Sequence, residues 1–189
     1  MNILYIHGLS SSGNSGTAKR LRELLPNDTI FSPDLPINPY EAINMLQELC
    51  KAEKIDIAIG TSMGGMFAQK LRGYKKILVN PAFHVSQSMR KKIGWNPFFS
   101  PRQDGVTKYE ITPHLCDSYE QLECNQFDNL DDDELKITFA LFGTNDNVVN
   151  CSEEYNKYYI NYYSFDGEHR LNPDNIQNDL LPLIETLRD

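Results

Sequence analysis

The sequence predicts a three-layer α/β chain built on a mainly parallel, doubly wound sheet with helices on both faces. Two observations lead there. Short apolar runs alternate with helical patterns in the order β-α-β-α-β-α-β, which a parallel sheet with crossover helices satisfies economically. Several strand candidates are nearly unbroken apolar runs, as strands covered on both faces require. The 189 residues suit one domain with a sizeable core, spanning 1–189.

The first strand is Ile3–Ile6, inside "MNILYIHG". This opening has no basic n-region and only a brief apolar run, so a strand is expected and not a signal peptide. A helix over Gly16–Leu25 and a strand over Thr29–Phe31 follow. Pro39–Ala52 reads as a helix because Ala42, Ile43, Leu46 and Leu49 recur at helical spacing and form one apolar face. Ile55–Ile59 is a strand, Gly64–Arg72 a helix and Lys76–Val79 a strand. Beyond residue 130 come strand Ile137–Phe142, helix Ser152–Tyr158 and strand Asn161–Phe165. The closing helix, Pro173–Leu187, has Asn172 as N-cap and proline in its first turn.

Residues 83–130 interrupt this rhythm with "GWNPFFSPRQDG" and the partly helical "ITPHLCDSYEQLECNQF". An insertion of this length forms either a short cap or binding loop, or a structural excursion over the sheet edge. The aromatic stretch Trp95–Phe99 could also serve as a contact surface for an interaction module.

Composition excludes several classes. Net charge is −8, from 18 basic and 26 acidic residues, which argues against nucleic-acid or anionic-membrane surfaces because phosphate binding needs a basic patch. No apolar segment approaches the ~20 residues of a membrane helix, and a cytoplasmic location is expected. Cys50, Cys116, Cys124 and Cys151 are widely spaced without a CxxC pair, so reduced thiols are expected, with neither zinc nor a disulfide framework.

The chemistry concentrates at "IDIAIGTSMGGMFAQKLRG". Gly60-Thr61-Ser62-Met63-Gly64 fits G-x-S-x-G between a strand and a helix. A strand turning abruptly into a helix holds Ser62 in a strained conformation, and glycines two residues away on each side remove Cβ atoms that would strike nearby backbone. The helix behind Ser62 offers free N–H groups and a positive dipole end to an oxyanion. Glycine-rich strand-to-helix turns also bind phosphates, but neither G-x-G-x-x-G nor G-x-x-x-x-G-K-[ST] is present.

A nucleophilic serine needs a base, and the base needs an orienting carboxylate. In "ITFALFGTNDNVV" Asp146 follows a buried strand, and in "YYSFDGEHRL" His169 follows the next one. Loops after parallel strands share one sheet edge, so Ser62, Asp146 and His169 are expected to meet there. Asp166 is the other acid candidate, and Asn145 would matter equally if this loop were an ordinary turn. Met63 and Leu9 are assigned the backbone N–H groups of an oxyanion hole, Leu9 from the small-residue loop "HGLSSSGNSG" that follows the first strand. His7 is expected to brace that loop by hydrogen bonding. His84 and His114 fall in the insertion and read as structural. Without the three-residue constellation, the same loops would suit a non-catalytic anion or phosphate binder.

Taken together, "LYIHGLSSSGNSGTAKRL", "IGTSMGGMFAQKL", "LVNPAF", "FGTNDNVV" and "GEHRL" resemble the small bacterial YqiA/YcfP-type esterases of the α/β-hydrolase superfamily, in order and over most of the chain. The resemblance implies a compact α/β-hydrolase fold, no metal or cofactor, and cleavage of short acyl esters or thioesters. By position it carries the nucleophile to Ser62, the acid to Asp146 and the base to His169. The departure from the family pattern is residues 83–130, so the resemblance says least about the acyl pocket that this region is expected to shape.

Overall fold

The computed structural model describes residues 1–188. In chain order its elements are β1 (Asn2–Ile6), α1 (Gly16–Leu24), β2 (Thr29–Phe31), α2 (Pro39–Ala52), β3 (Ile57–Thr61), α3 (Met63–Lys70) and β4 (Lys75–Val79). The insertion follows as α4 (Val85–Arg90), β5 (Gly94–Pro97), β6 (Lys108–Ile111) and α5 (Pro113–Glu123), and α6 (Asp132–Ile137) comes just after it. The chain closes with β7 (Thr138–Gly143), α7 (Ser152–Tyr155), β8 (Asn161–Phe165), α8 (Pro173–Asn175), a π-helical turn (Ile176–Leu180) and α9 (Leu181–Thr186).

Six strands form one sheet in the order β2-β1-β3-β4-β7-β8, and every neighbouring pair is parallel. The order reverses between β1 and β3. At such a switch point the two following loops diverge to opposite faces and leave a crevice. Here those loops are the His7 loop and the Ser62 turn.

Strand alternation splits the core in two. Leu4, Ile6 and Ala58 point to one face, where they pack with Leu46, Met66, Phe67 and Tyr119. Ile3, Tyr5, Ile57 and Ile59 point to the other, against Leu21, Ile176 and Leu180. Helices α2, α3, α4 and α5 contribute to the first layer, α1 and the C-terminal helical segments to the second. Their starts are capped locally. Asn38 accepts from the N–H groups of Tyr40 and Glu41 with Pro39 at the first turn, and Asn172 and Asn175 form a reciprocal capping box, relieving donors a helix start leaves unmet.

Most element boundaries shift by one or two residues from the sequence expectation, and three of the differences have a clear physical cause. β3 starts at Ile57, because Lys54 turns at positive φ and the Asp56 N–H bonds Asn2 O at 2.8 Å before the ladder begins. Helix α7 ends at Tyr155 and continues as tight turns through Tyr158. The final helix is interrupted by the π turn; Pro182 has no N–H for the usual bond four residues back, and a wider turn just before it accommodates that loss.

In the insertion, β5 and β6 pair as an antiparallel hairpin that is tied to the loop after β1. Phe99 N–H donates to Ser10 O at 2.7 Å, Ser12 Oγ donates to Pro101 O at 2.8 Å, and Ser10 Oγ lies 2.6 Å from Tyr109 Oη. Trp95 and Phe99 stay exposed, each beneath a cation, Lys108 over Trp95 and Arg170 over Phe99. All four cysteines are free. Among the described residues, no helix is long and apolar enough to cross a membrane.

Candidate active site

Ser62 sits at the junction of β3 and α3 with φ 55° and ψ −120°, a left-handed conformation costly for a residue with a side chain. Close packing forces the flanking glycines. A Cβ on Gly60 would lie 2.1 Å from Gly64 O, and one on Gly64 would lie 2.0 Å from Ile6 O. The bend is pinned by Ser62 N–H to Val79 O at 3.0 Å, while Ser62 O accepts from Gly65 and Ala82 N–H.

The loops after β3, β7 and β8 bring the three expected side chains together. Ser62 Oγ is 2.9 Å from His169 Nε2, and His169 Nδ1 is 2.7 Å from Asp146 Oδ2. Asp146 is almost fully buried and His169 mostly so, with side-chain exposures of 4% and 14%. The other carboxylate oxygen, Asp146 Oδ1, accepts from the N–H groups of Val148 and Val149 at 2.8 and 3.0 Å. Both oxygens are thereby committed, and Nδ1–H is the proton that faces the acid. Nε2 is left as an acceptor for the serine hydroxyl.

Asp166, the alternative acid, does not reach His169. Its Oδ1 accepts from Asn145 Nδ2 at 2.9 Å, so Asn145 and Asp166 lash the acid loop to the histidine loop. The backbone repeats the tie, with Asn145 N–H to Gly167 O at 2.9 Å and Thr144 N–H to Phe165 O at 3.0 Å.

Sequence reading missed Asn80, which joins three strand ends. This buried residue donates through Nδ2 to Glu168 O and His169 O, both at 3.1 Å. Its Oδ1 accepts the Gly143 N–H at 2.7 Å. Asn80 has φ 42°, a region that asparagine tolerates better than most residues. The signal was the "VNP" after β4, an asparagine ending a buried strand.

Leu9 and Met63 both line the cavity beside Ser62. Met63 opens α3, so its N–H is one of those a helix leaves without an internal acceptor. Gly8 lets the loop approach the turn: a Cβ there would stand 3.2 Å from Ser62 Cβ. His7 lies behind this loop. Its Nε2 accepts the Leu35 N–H at 3.2 Å and its Nδ1–H donates to Gly8 O at 2.9 Å, which fixes a neutral tautomer. Burial pushes its pKa down to about 4. His84 pairs at the surface with Glu154 at 2.8 Å and does not border that cavity.

A cavity of about 460 Å³ opens over Ser62 and His169. Its walls come from both sides of the switch point. Val85, Val148 and Val149 supply an apolar side, and Thr17, Arg20 and Ile176 supply the side facing α1 and the C-terminal segments. The insertion adds Lys92 and Phe99. Among the described residues, no group of histidines, cysteines and carboxylates could hold a metal ion.

A parallel sheet with its strained serine turn at a switch point, and an acid and a histidine on the two last strand loops, is the α/β-hydrolase architecture. Solved structures agree in fold. Est1E from Butyrivibrio proteoclasticus superposes with a TM-score of 0.62 at 14% identity, covering 98% of this chain and 87% of that one. The methylesterase MES16 from Arabidopsis gives 0.62 at 14% identity, covering 98% and 99%. Within that class the chain belongs to the uncharacterised protein family UPF0227, whose model matches residues 2–185. A UPF0227 protein of Shewanella sp. (strain ANA-3) is 27% identical over 101 residues, 48% of this chain and 56% of that relative.

Proposed function

We propose that the protein is a serine hydrolase of the carboxylesterase type, acting on small acyl esters or thioesters. The observation that carries this reading is the continuous hydrogen-bonded chain from Ser62 Oγ through His169 to Asp146 at the floor of a cavity. Ser62 Oγ attacks the acyl carbonyl while His169 Nε2 takes its proton, and Asp146 stabilises the imidazolium that forms. The N–H groups of Met63 and Leu9 hold the tetrahedral oxyanion. His169 then protonates the departing alcohol or thiol, and later takes a proton from the water that cleaves the acyl-enzyme. The methylesterase name carried by MES16 is in keeping with this class.

The test uses a fluorophosphonate probe and p-nitrophenyl acetate on the wild-type chain and Ser62→Ala. Labelling and turnover that both vanish in the variant, with the fold unchanged by circular dichroism, are the expected result. Equal turnover in the variant would refute the nucleophile. No labelling, with anion binding retained, would instead favour a binding protein on this scaffold.

A further inference from the structure

The charge lining the cavity does not match the charge of the chain. The protein carries an excess of eight negative charges, yet Arg20, Lys92 and Arg170 line the cavity and, among the described residues, no aspartate or glutamate does. Apolar walls beside these cations focus their field into the space above Ser62. Such a site attracts an anion and repels none of the groups a neutral ester presents.

The three cations are not equally committed. Arg20 donates to Gln177 Oε1 at 2.7 Å and to Glu23 Oε2 at 3.0 Å, which aims the guanidinium along the wall between α1 and the C-terminal segments. Its Nε is shut from solvent without a partner. Arg170 follows His169 directly and rests 5.3 Å from the centre of the Phe99 ring. Neither Arg170 nor Lys92 has a carboxylate within ion-pair distance among the described residues, whereas Arg90, Arg102 and Arg188, which do not line the cavity, all do. On the same side, Gly16 and Thr17, the first residues of α1, border the cavity and add the positive end of a helix.

We propose that the substrate of this site is an ester or thioester bearing a carboxylate or phosphate close to the scissile bond, held by Arg170 and Arg20 while the apolar part lies against Val85, Val148 and Val149. This inference rests on the hydrolase reading above and names its substrate class. Lys92, which also lines the cavity, adds to the positive field that draws the anion in.

Two matched ester pairs test it. Mono(4-nitrophenyl) glutarate and 4-nitrophenyl valerate share a leaving group and chain length and differ in an acyl-side carboxylate. The 3-carboxyphenyl and 3-carbamoylphenyl butyrates place the charge on the alcohol side. At low ionic strength kcat/KM of the anionic member should exceed that of its neutral partner by roughly tenfold or more in at least one pair, and sodium chloride should erode the gap. In Arg170→Gln and Arg20→Gln the ratio should fall toward one, and Arg170→Glu should invert it. The responding pair identifies the charged half of the substrate. Protection of Ser62 from fluorophosphonate by glutarate against inorganic phosphate separates carboxylate from phosphate, and this protection serves as the readout if no ester turns over.

Ratios near one in the wild type, ratios unmoved by the arginine substitutions, or no protection by either anion would overturn the inference. Neutral esters hydrolysed without anion preference would remove it and leave the hydrolase reading standing. Absence of both turnover and Ser62-dependent labelling would remove both.

Discussion

Asn80→Gly separates the hydrogen bonds of Asn80 from its backbone, because glycine adopts the native φ of 42° without steric cost. The substitution deletes two donors to the Glu168 and His169 carbonyls and one acceptor for Gly143 N–H. Each buried bond contributes about 1 kcal/mol net. Extra freedom in the unfolded chain adds about 0.5–1 kcal/mol. A stability loss of about 3–4 kcal/mol is expected, read as a lower urea midpoint at unchanged slope. The carbonyl of His169 is one of the released groups, so the imbalance lands on the histidine loop. A displacement of about 1 Å at a reacting group costs roughly 100-fold, so kcat should fall by about that factor while KM barely changes. Asn80→Asp keeps the shape but turns the two donors into a carboxylate facing two carbonyls, and should be worse in kcat. The reasoning fails if Asn80→Gly loses the expected stability yet keeps kcat within about twofold, a change under 0.5 kcal/mol in the barrier. Asn80 would then support the fold without positioning His169.

Asp146→Asn keeps an acceptor for Val148 and Val149 N–H but presents an amide to His169 Nδ1, favouring the wrong imidazole tautomer. Turnover of p-nitrophenyl acetate should drop by about 10³–10⁴-fold at little cost in stability, and a loss under tenfold would exclude the orienting role. His7 supplies a pH signature. Burial lowers its folded pKa to about 4 from an ordinary 6.5, so on acidification the unfolded chain binds a proton first. This contribution is complete above pH 6.5 and is withdrawn as pH falls toward 4, by about 3 kcal/mol in all. Urea midpoints measured across that window should fall more steeply for the wild type than for His7→Gln, and parallel profiles would contradict the assignment.

Much of this protein is legible in its sequence because the relevant physics is local. Apolar runs such as "ILYI" and "FALF" mark strands covered on both sides. Gly60 and Gly64 mark a turn too tight for side chains, and Asn172-Pro173 marks a helix start. Ser62, Asp146 and His169 can be placed on three strand-end loops by motif and order alone. Edges are less legible: where β3 begins depends on Asn2, and where the final helix widens depends on Pro182.

Only the tertiary structure decided what holds these loops in register and what surrounds them. Asn80 meets His169 across 89 positions, and Ser10 meets Tyr109 across 99, so neither contact leaves a periodic trace along the chain. Asp166 stands nearer His169 in sequence than Asp146 does, yet it is turned toward Asn145. The cation-lined cavity is assembled from α1, the insertion and the loop after β8, whose cations Arg20, Lys92 and Arg170 lie far apart along the chain. Sequence specifies side chains and local turns, whereas the sheet order determines which distant side chains share one edge, and it is that sharing which creates a site.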